Sequence, residues 1–286
     1  METGWAKVNL TLDVLGKRSD GYHELRSLVV FAATGDRLLF SPGDGFSLTV
    51  TGPFADEIKG ENLIRTVAKR LMTEYGVADF GTVCLEKNLP VASGIGGGSA
   101  DAAAFIRLFE AECGIEFSAA DVAGFGQVFG ADVPVCYYSS PMVMGGIGEE
   151  MCRLDTLPDM ALVLVNPGCA VETRAVFERL QAPELDVNFT PPLLFAPSLA
   201  SFDEVISYME EHDNGLYRPA LVVEPTIGLV MDVLAGLPRC AIAQLSGSGA
   251  TCFGLFPSLK HAEAGALKVR TAYPDWWVAA APVRSF

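Results

Sequence analysis

The sequence predicts an α+β protein of two domains, the second a ferredoxin-like unit. Three observations carry this. The chain has 286 residues, half of them hydrophobic, enough for a large core and long for one domain. The first half gathers strand-period segments ahead of a glycine-rich stretch and an alanine-rich helix. The second half runs strand, helices, strand, strand, helix, strand, which is the ferredoxin-like order.

Each element has a local reason. Val8, Leu10, Leu12 and Val14 alternate with Lys7, Asn9, Thr11 and Asp13; period two predicts a strand with one apolar and one polar face. The turn-rich stretch Gly16–Gly21 follows, then strands over Leu25–Phe31, Arg37–Ser41 and Phe46–Thr51. Asn62 caps a helix that ends at Gly76. Thr82–Glu86 is the next strand, and a helix runs from about Ser99 to Cys113. Ser118 and Asp121 have capping-box spacing for a helix ending near Gly130.

Beyond that, Ala161–Val165 reads as a buried strand and Thr173–Leu180 as a helix. The stretch holding Pro183, Pro191, Pro192 and Pro197 reads as loop. Ser201 and Glu204 start another helix, and Pro225 precedes one. Strands over Ala241–Leu245, Thr251–Phe256 and Trp277–Ala281 finish the chain, with a helix over Ser258–Tyr273 before the last. The division is placed at 1–153 and 154–286.

Composition excludes several functions. With 20 Lys+Arg against 35 Asp+Glu the formal net charge is −15, unsuited to displacing counterions from nucleic acid or to a polybasic membrane anchor. No apolar run approaches the roughly 20 residues of a spanning helix. Met1–Val14 alternates where a secretory signal would be an apolar block. The seven cysteines stand singly, with no C-x-x-C pair. Reduced, mostly buried thiols in a cytoplasmic protein are expected. The three histidines lie far apart, so a His/Cys zinc site is not expected.

Three segments can carry chemistry. The first is Pro90-Val91-Ala92-Ser93-Gly94-Ile95-Gly96-Gly97-Gly98-Ser99-Ala100. Its glycines let a ligand approach the main chain, and the helix that follows offers unpaired N–H groups and the positive end of its dipole. Together these suit phosphate. A Walker A signature is absent, and the glycine spacing misses the dinucleotide fingerprint by one position. The alternative is a flexible linker.

The second is Ala6-Lys7-Val8-Asn9-Leu10, where Lys7 and Asn9 share a strand face. The lysine could steady an anion or activate a hydroxyl; the alternative is a solvated strand face. The third is Gly130-Ala131-Asp132-Val133-Pro134, an acid at a helix end, which could equally be a cap or turn former.

In this order the segments resemble the GHMP kinase superfamily, together with Arg18-Ser19-Asp20-Gly21-Tyr22-His23 and a third glycine motif, Leu245-Ser246-Gly247-Ser248-Gly249-Ala250-Thr251-Cys252-Phe253. The similarity spans essentially the whole chain. The Asp-Gly-Tyr-His segment points to the branch acting on a cytidine diphosphate derivative of methylerythritol. The resemblance implies an N-terminal ribosomal-protein-S5-like domain and a C-terminal ferredoxin-like domain. It implies ATP and Mg²⁺, with Pro90 to Ala100 around the phosphates, and transfer of the γ-phosphate to the 2-hydroxyl of the acceptor. Lys7 and Asp132 take the catalytic roles. Asn9, Tyr22, His23 and Phe177 take the acceptor, the aromatic residues around its cytosine. A monomer or weak homodimer is expected.

Some positions depart from the pattern. Trp5 stands where a proline often precedes the lysine, Ala100 replaces the second serine of the loop, and Asn214-Gly215-Leu216-Tyr217 replaces Asn-Asp-Leu-Glu. An aspartate beside an ammonium is a weak base, which leaves Asp132 as true base or as orienter. Other open readings are another small-molecule kinase of the family, such as a homoserine kinase, and a non-catalytic binding module.

Overall fold

The structure, a computed structural model, describes residues 1–186 and 189–285. Strands β1 (Glu2–Asn9), β2 (Asp13–Lys17), β3 (His23–Pro42) and β4 (Phe46–Thr51) precede helix α1 (Leu63–Tyr75). Strand β5 (Gly81–Glu86) leads into α2 (Gly97–Cys113), α3 (Ala119–Phe129) and α4 (Val133–Tyr138), followed by β6 (Met142–Gly146) and β7 (Glu150–Arg153). The remainder is β8 (Ala161–Asn166), α5 (Thr173–Arg179), α6 (Phe202–Glu211), α7 (Tyr217–Val223), α8 (Thr226–Ala235), β9 (Ile242–Leu245), β10 (Cys252–Phe256), α9 (Leu259–Ala272) and β11 (Trp277–Pro282).

Two compact units are interleaved along the chain. One is built from Met1–Ala6, Thr34–Val91 and Gly96–Ser139; the other from Lys7–Ala33, Ala92–Ile95 and the chain from Ser140 onward.

In the first unit β5 pairs antiparallel with the second half of β3 and parallel with β4. Helix α2 packs beside α1 and α4. Its buried face carries Phe105 and Phe109, whose rings meet Phe80 at 5.6 and 5.4 Å between centroids. Burying such side chains contributes about 1.5–3 kcal/mol each. The caps are those the sequence predicts. The Asn62 side chain accepts from the Ile64 N–H, and Gly76 ends α1 in the left-handed conformation. Ser118 and Asp121 form a reciprocal capping box.

In the second unit the four-stranded sheet has the order β11-β8-β10-β9, with every pairing antiparallel. This is the predicted ferredoxin-like arrangement. One sheet face shares its core with Ile227, Val230 and Leu234 of α8 and with Ala262, Ala266 and Val269 of α9. Ser201 and Glu204 form the second predicted capping box. In the same unit the first half of β3 pairs with β2 and β6, and β6 pairs with β7.

Several sequence expectations are corrected. The stretch Lys7–Asp13 is not one strand: β1 ends at Asn9, and Leu12 bonds instead to the 213–215 segment through its N–H and carbonyl. The alternative of a solvated face at Lys7 and Asn9 does not hold, since Lys7, Asn9 and Thr11 are all buried. The separate strands over 25–31 and 37–41 are one strand of 20 residues. Between the two expected strands Gly35 packs against Gly4, where a Cβ would fall 2.3 Å from the Gly4 carbonyl oxygen. Helices α4 and α7 and strands β6 and β7 were not anticipated. Helix α4 has six residues, too few for a helical period to register. Of the seven cysteines, all free, only Cys136 and Cys252 are buried; the other five are half-buried.

Candidate active site

The glycine-rich segment takes a backbone path few residues allow. Ala92, Gly94 and Gly96 are all left-handed, with φ of 50°, 78° and 64°. Alternation of this kind turns successive N–H groups to one side and forms an anion-binding concavity. In the second unit Gly94 is wedged against the third glycine motif. A Cβ there would lie 2.4 Å from the Ser246 carbonyl oxygen and 2.8 Å from that of Gly249. Only glycine fits.

Ser246 ties this motif to β1. Its hydroxyl accepts from the Asn9 N–H at 3.2 Å and donates to the Gly94 carbonyl at 2.9 Å. The Lys7 N–H donates to the Ile95 carbonyl at 3.0 Å. The strand bearing Lys7 and Asn9 is therefore tied directly to residue 95 at Lys7 and, through the Ser246 hydroxyl, to residue 94 at Asn9. The Asn9 side chain donates to Ser27 at 2.7 Å, and Ser27 donates to the Thr11 carbonyl at 2.6 Å. Asn214 donates to the carbonyls of Leu245 and Gly247, at 2.7 and 2.9 Å, and holds the Ser-Gly-Ser-Gly turn. Sequence reasoning quoted these motifs but gave Ser246 and Asn214 no role. The signal was present in the Ser-Gly-Ser-Gly run; what was missing was its partner, 237 residues away in sequence.

Also in the second unit, His23 and Phe177 stack, with ring centroids 4.9 Å apart and planes inclined by 30°. With Tyr22, Lys17, Ile147 and Arg174 they line a cavity of about 460 Å³. Burial lowers the His23 imidazole below its usual range, and the charge of Lys17 lowers it further. Both effects favour the neutral ring. Tyr22 is largely exposed, available to a ligand as a second aromatic face. Three of the predicted acceptor residues are thus brought together.

In the first unit Gly96 caps α2 in the left-handed conformation, and as a glycine it brings no side-chain cap to the helix. Gly97, Gly98 and Ser99 form that turn, and a Cβ on Gly98 would meet nothing within 4 Å. Asp132 immediately precedes α4. It has right-handed φ and ψ, and its side chain makes no capping hydrogen bond. The reading of Asp132 as a simple helix cap is set aside on that geometry. Lys7 belongs to one unit and Asp132 to the other.

Two family models match the chain: "GHMP kinases N terminal domain" over residues 62–140 and "GHMP kinases C terminal" over 195–275. The chain belongs to the GHMP kinase family. GHMP kinases are small-molecule kinases that use ATP as the phosphate donor. Among relatives of this GHMP kinase is the 4-diphosphocytidyl-2-C-methyl-D-erythritol kinase of Parvibaculum lavamentivorans, 44% identical over 97% of this chain and 96% of that protein. The enzyme of the same name from Paramagnetospirillum magneticum is 43% identical over 98% and 97%. A crystal structure of 4-(cytidine 5'-diphospho)-2C-methyl-D-erythritol kinase matches with a TM-score of 0.77 and 29% identity, covering 100% of both chains. Homoserine kinase from Cytophaga hutchinsonii matches at TM-score 0.66 and 14% identity, over 98% and 93%; that likeness shows the fold alone.

The residues present suit a nucleotide's phosphates. A left-handed backbone run in the chain leading into a helix with a glycine N-cap is the kind of main chain that binds a polyanion through amides. Among the described residues no group of three or more His, Cys, Asp or Glu side chains could hold a metal ion. No described helix is long and apolar enough to cross a membrane.

Proposed function

We propose that this chain transfers the γ-phosphate of ATP to the 2-hydroxyl of 4-diphosphocytidyl-2-C-methyl-D-erythritol. The observation that carries the choice of acceptor is the His23–Phe177 stack opening on an aromatic-lined cavity of about 460 Å³. A pyrimidine ring needs such a surface; homoserine and mevalonate carry no ring. Full-length similarity to enzymes bearing that name supports the same reading.

The assignment of parts follows the chemistry. Residues Pro90 to Ala100 take the triphosphate, chiefly through main-chain N–H groups, with Ser99 supplying a hydroxyl on the first turn of α2. Tyr22, His23 and Phe177 take the cytosine, and Asn9 the acceptor. Phosphoryl transfer runs through a loose transition state, so positioning and charge stabilisation dominate. Lys7 is the cation for the charge that develops on the transferring group. Asp132 orients the acceptor hydroxyl and receives its proton, early as a base or late as an orienter. Mg²⁺, carried in on the phosphates, neutralises their charge when bound. The chain's net charge of −15 makes these local positive groups necessary, because two polyanions must enter.

Residues 1–153 form the ATP-binding family domain in this reading and 154–286 the C-terminal one; the two family-model matches fall on either side of that division. The enzyme works in the cytoplasm, as a monomer or weak homodimer, on small molecules alone.

An ADP-release assay with this acceptor, homoserine and mevalonate run side by side tests the proposal. Turnover with the cytidine compound alone supports it. Faster turnover with homoserine moves the chain to the other branch. Nucleotide binding with no ADP release on any acceptor makes it a binding module.

A further inference from the structure

Within the first unit a charged cluster sits under the phosphate-binding helix and serves none of the roles above. The Lys87 ammonium donates to Asp36, and to Asp101 at 2.7 Å. All three side chains are buried, with exposures of 3%, 0% and 5%. Asp36 also accepts from the backbone N–H groups of Asn88 and Leu89, the latter at 2.8 Å. Lys87 follows β5 directly, and Asp101 lies one turn into α2. The ion pair therefore joins the two ends of the glycine-rich segment, 14 residues apart in sequence. A Cβ on Gly97, the first residue of α2, would lie 3.1 Å from the Lys87 Nζ. The ammonium is packed against the first turn of α2, the turn assigned above to the phosphates.

Such a cluster is costly to bury. An ion pair without surrounding water gains little net stability, and removing one of its partners leaves an uncompensated charge. The Asp101 Oδ1 atom is buried and has no hydrogen-bond partner, an added cost. Packing alone would be served by apolar residues of the same size. What an apolar set would not do is fix the distance and direction between the end of β5 and the first turn of α2. A loop of many glycines loses much conformational entropy on ordering, so its ends must be held if the amides are to be preorganised.

We propose that Lys87, Asp36 and Asp101 form a positioning clasp that holds the base of the glycine-rich segment closed and sets its affinity for the nucleotide's phosphates. This rests on the reading of that segment as the ATP site. The clasp touches neither nucleotide nor acceptor.

The test is the affinity of full-length variants for a non-hydrolysable ATP analogue with Mg²⁺, measured by calorimetry beside their affinity for the cytidine diphosphate acceptor. Lys87→Met and Asp101→Leu are each expected to weaken analogue binding at least tenfold while acceptor affinity moves less than twofold. The double variant is expected to be no worse than either single one, since both cut the same link. Asp101→Asn keeps an acceptor for Lys87 and is expected to restore analogue affinity to within about threefold of the parent. Should a single variant fail to fold, the charge-free Lys87→Met/Asp36→Asn/Asp101→Leu protein gives the same reading. A folded variant lacking the link that binds the analogue normally overturns the proposal. Equal losses for both ligands overturn it too, because a purely structural role predicts that. If the parent protein binds the analogue but not the cytidine acceptor, the acceptor assignment fails and the clasp is still read. If the parent does not bind the analogue, both fall.

Discussion

The imidazole of His23 and the phenyl ring of Phe177 lie face to face, 4.9 Å apart, although 154 residues separate them along the chain. Strand β3 starts at His23, and α5 carries Phe177 immediately after its buried Val176. Base-to-aromatic stacking is worth about 1–3 kcal/mol. Phe177→Ala is therefore expected to raise the acceptor KM by about tenfold to a hundredfold and leave the ATP KM unchanged. Steady-state kinetics with each substrate varied in turn checks this. Because His23 titrates below its usual range, acceptor binding is expected to weaken only as pH falls through that lowered range.

Ser246 is fully buried and links Asn9 to Gly94. In Ser246→Ala the Asn9 N–H and the Gly94 carbonyl each lose a partner, a cost of about 1–3 kcal/mol per buried group. The melting temperature should fall, and kcat should fall with it because the strand bearing Lys7 loses its tie. Ser246→Thr keeps the hydroxyl and is expected to recover part of both. Calorimetry and turnover on the same samples provide the check.

Asp132→Asn is expected to lower kcat by about 10²–10⁴, the range for a lost general base, with both KM values little changed. Undiminished turnover would remove Asp132 from the reaction, as base and as orienter.

The Asp101 carboxyl is held well above the usual carboxylate range, first by burial and then by the charge of Asp36, against the pull of Lys87. Burial also pulls the Lys87 ammonium down, but the charges of Asp101 and Asp36 hold it above its ordinary value. Both shifts have the same sign. The native state binds protons more tightly than the unfolded chain, so this contribution to stability is fully present below the unfolded values and is lost as pH rises through the folded ones. For Asp101 the loss begins above the ordinary carboxylate range. Asp101→Asn removes that slope, so its denaturation midpoint should fall less than the parent's between pH 5 and pH 8. Equal falls would contradict the account.

Much of the fold was legible because its signals are local. Asn62, Ser118 with Asp121, and Ser201 with Glu204 cap the helices they were expected to cap. The strand-helix order of the second half gave the ferredoxin-like sheet. Where the expectation failed, distant contacts decided. The strands expected over 25–31 and 37–41 are one, with Gly35 packed against Gly4 and Asp36 bonded to Lys87, Asn88 and Leu89 more than 50 residues on. The glycine-rich segment announced itself through composition. The clasp beneath it did not, because Asp36, Lys87 and Asp101 are unremarkable charges until the fold buries them together.

Phosphorus NMR of the product formed from ATP and 4-diphosphocytidyl-2-C-methyl-D-erythritol tests the central claim most directly. The account predicts one new monophosphate ester, on the 2-hydroxyl, appearing in step with ADP and lost in Asp132→Asn. No new ester, or an ester on another hydroxyl, would contradict it.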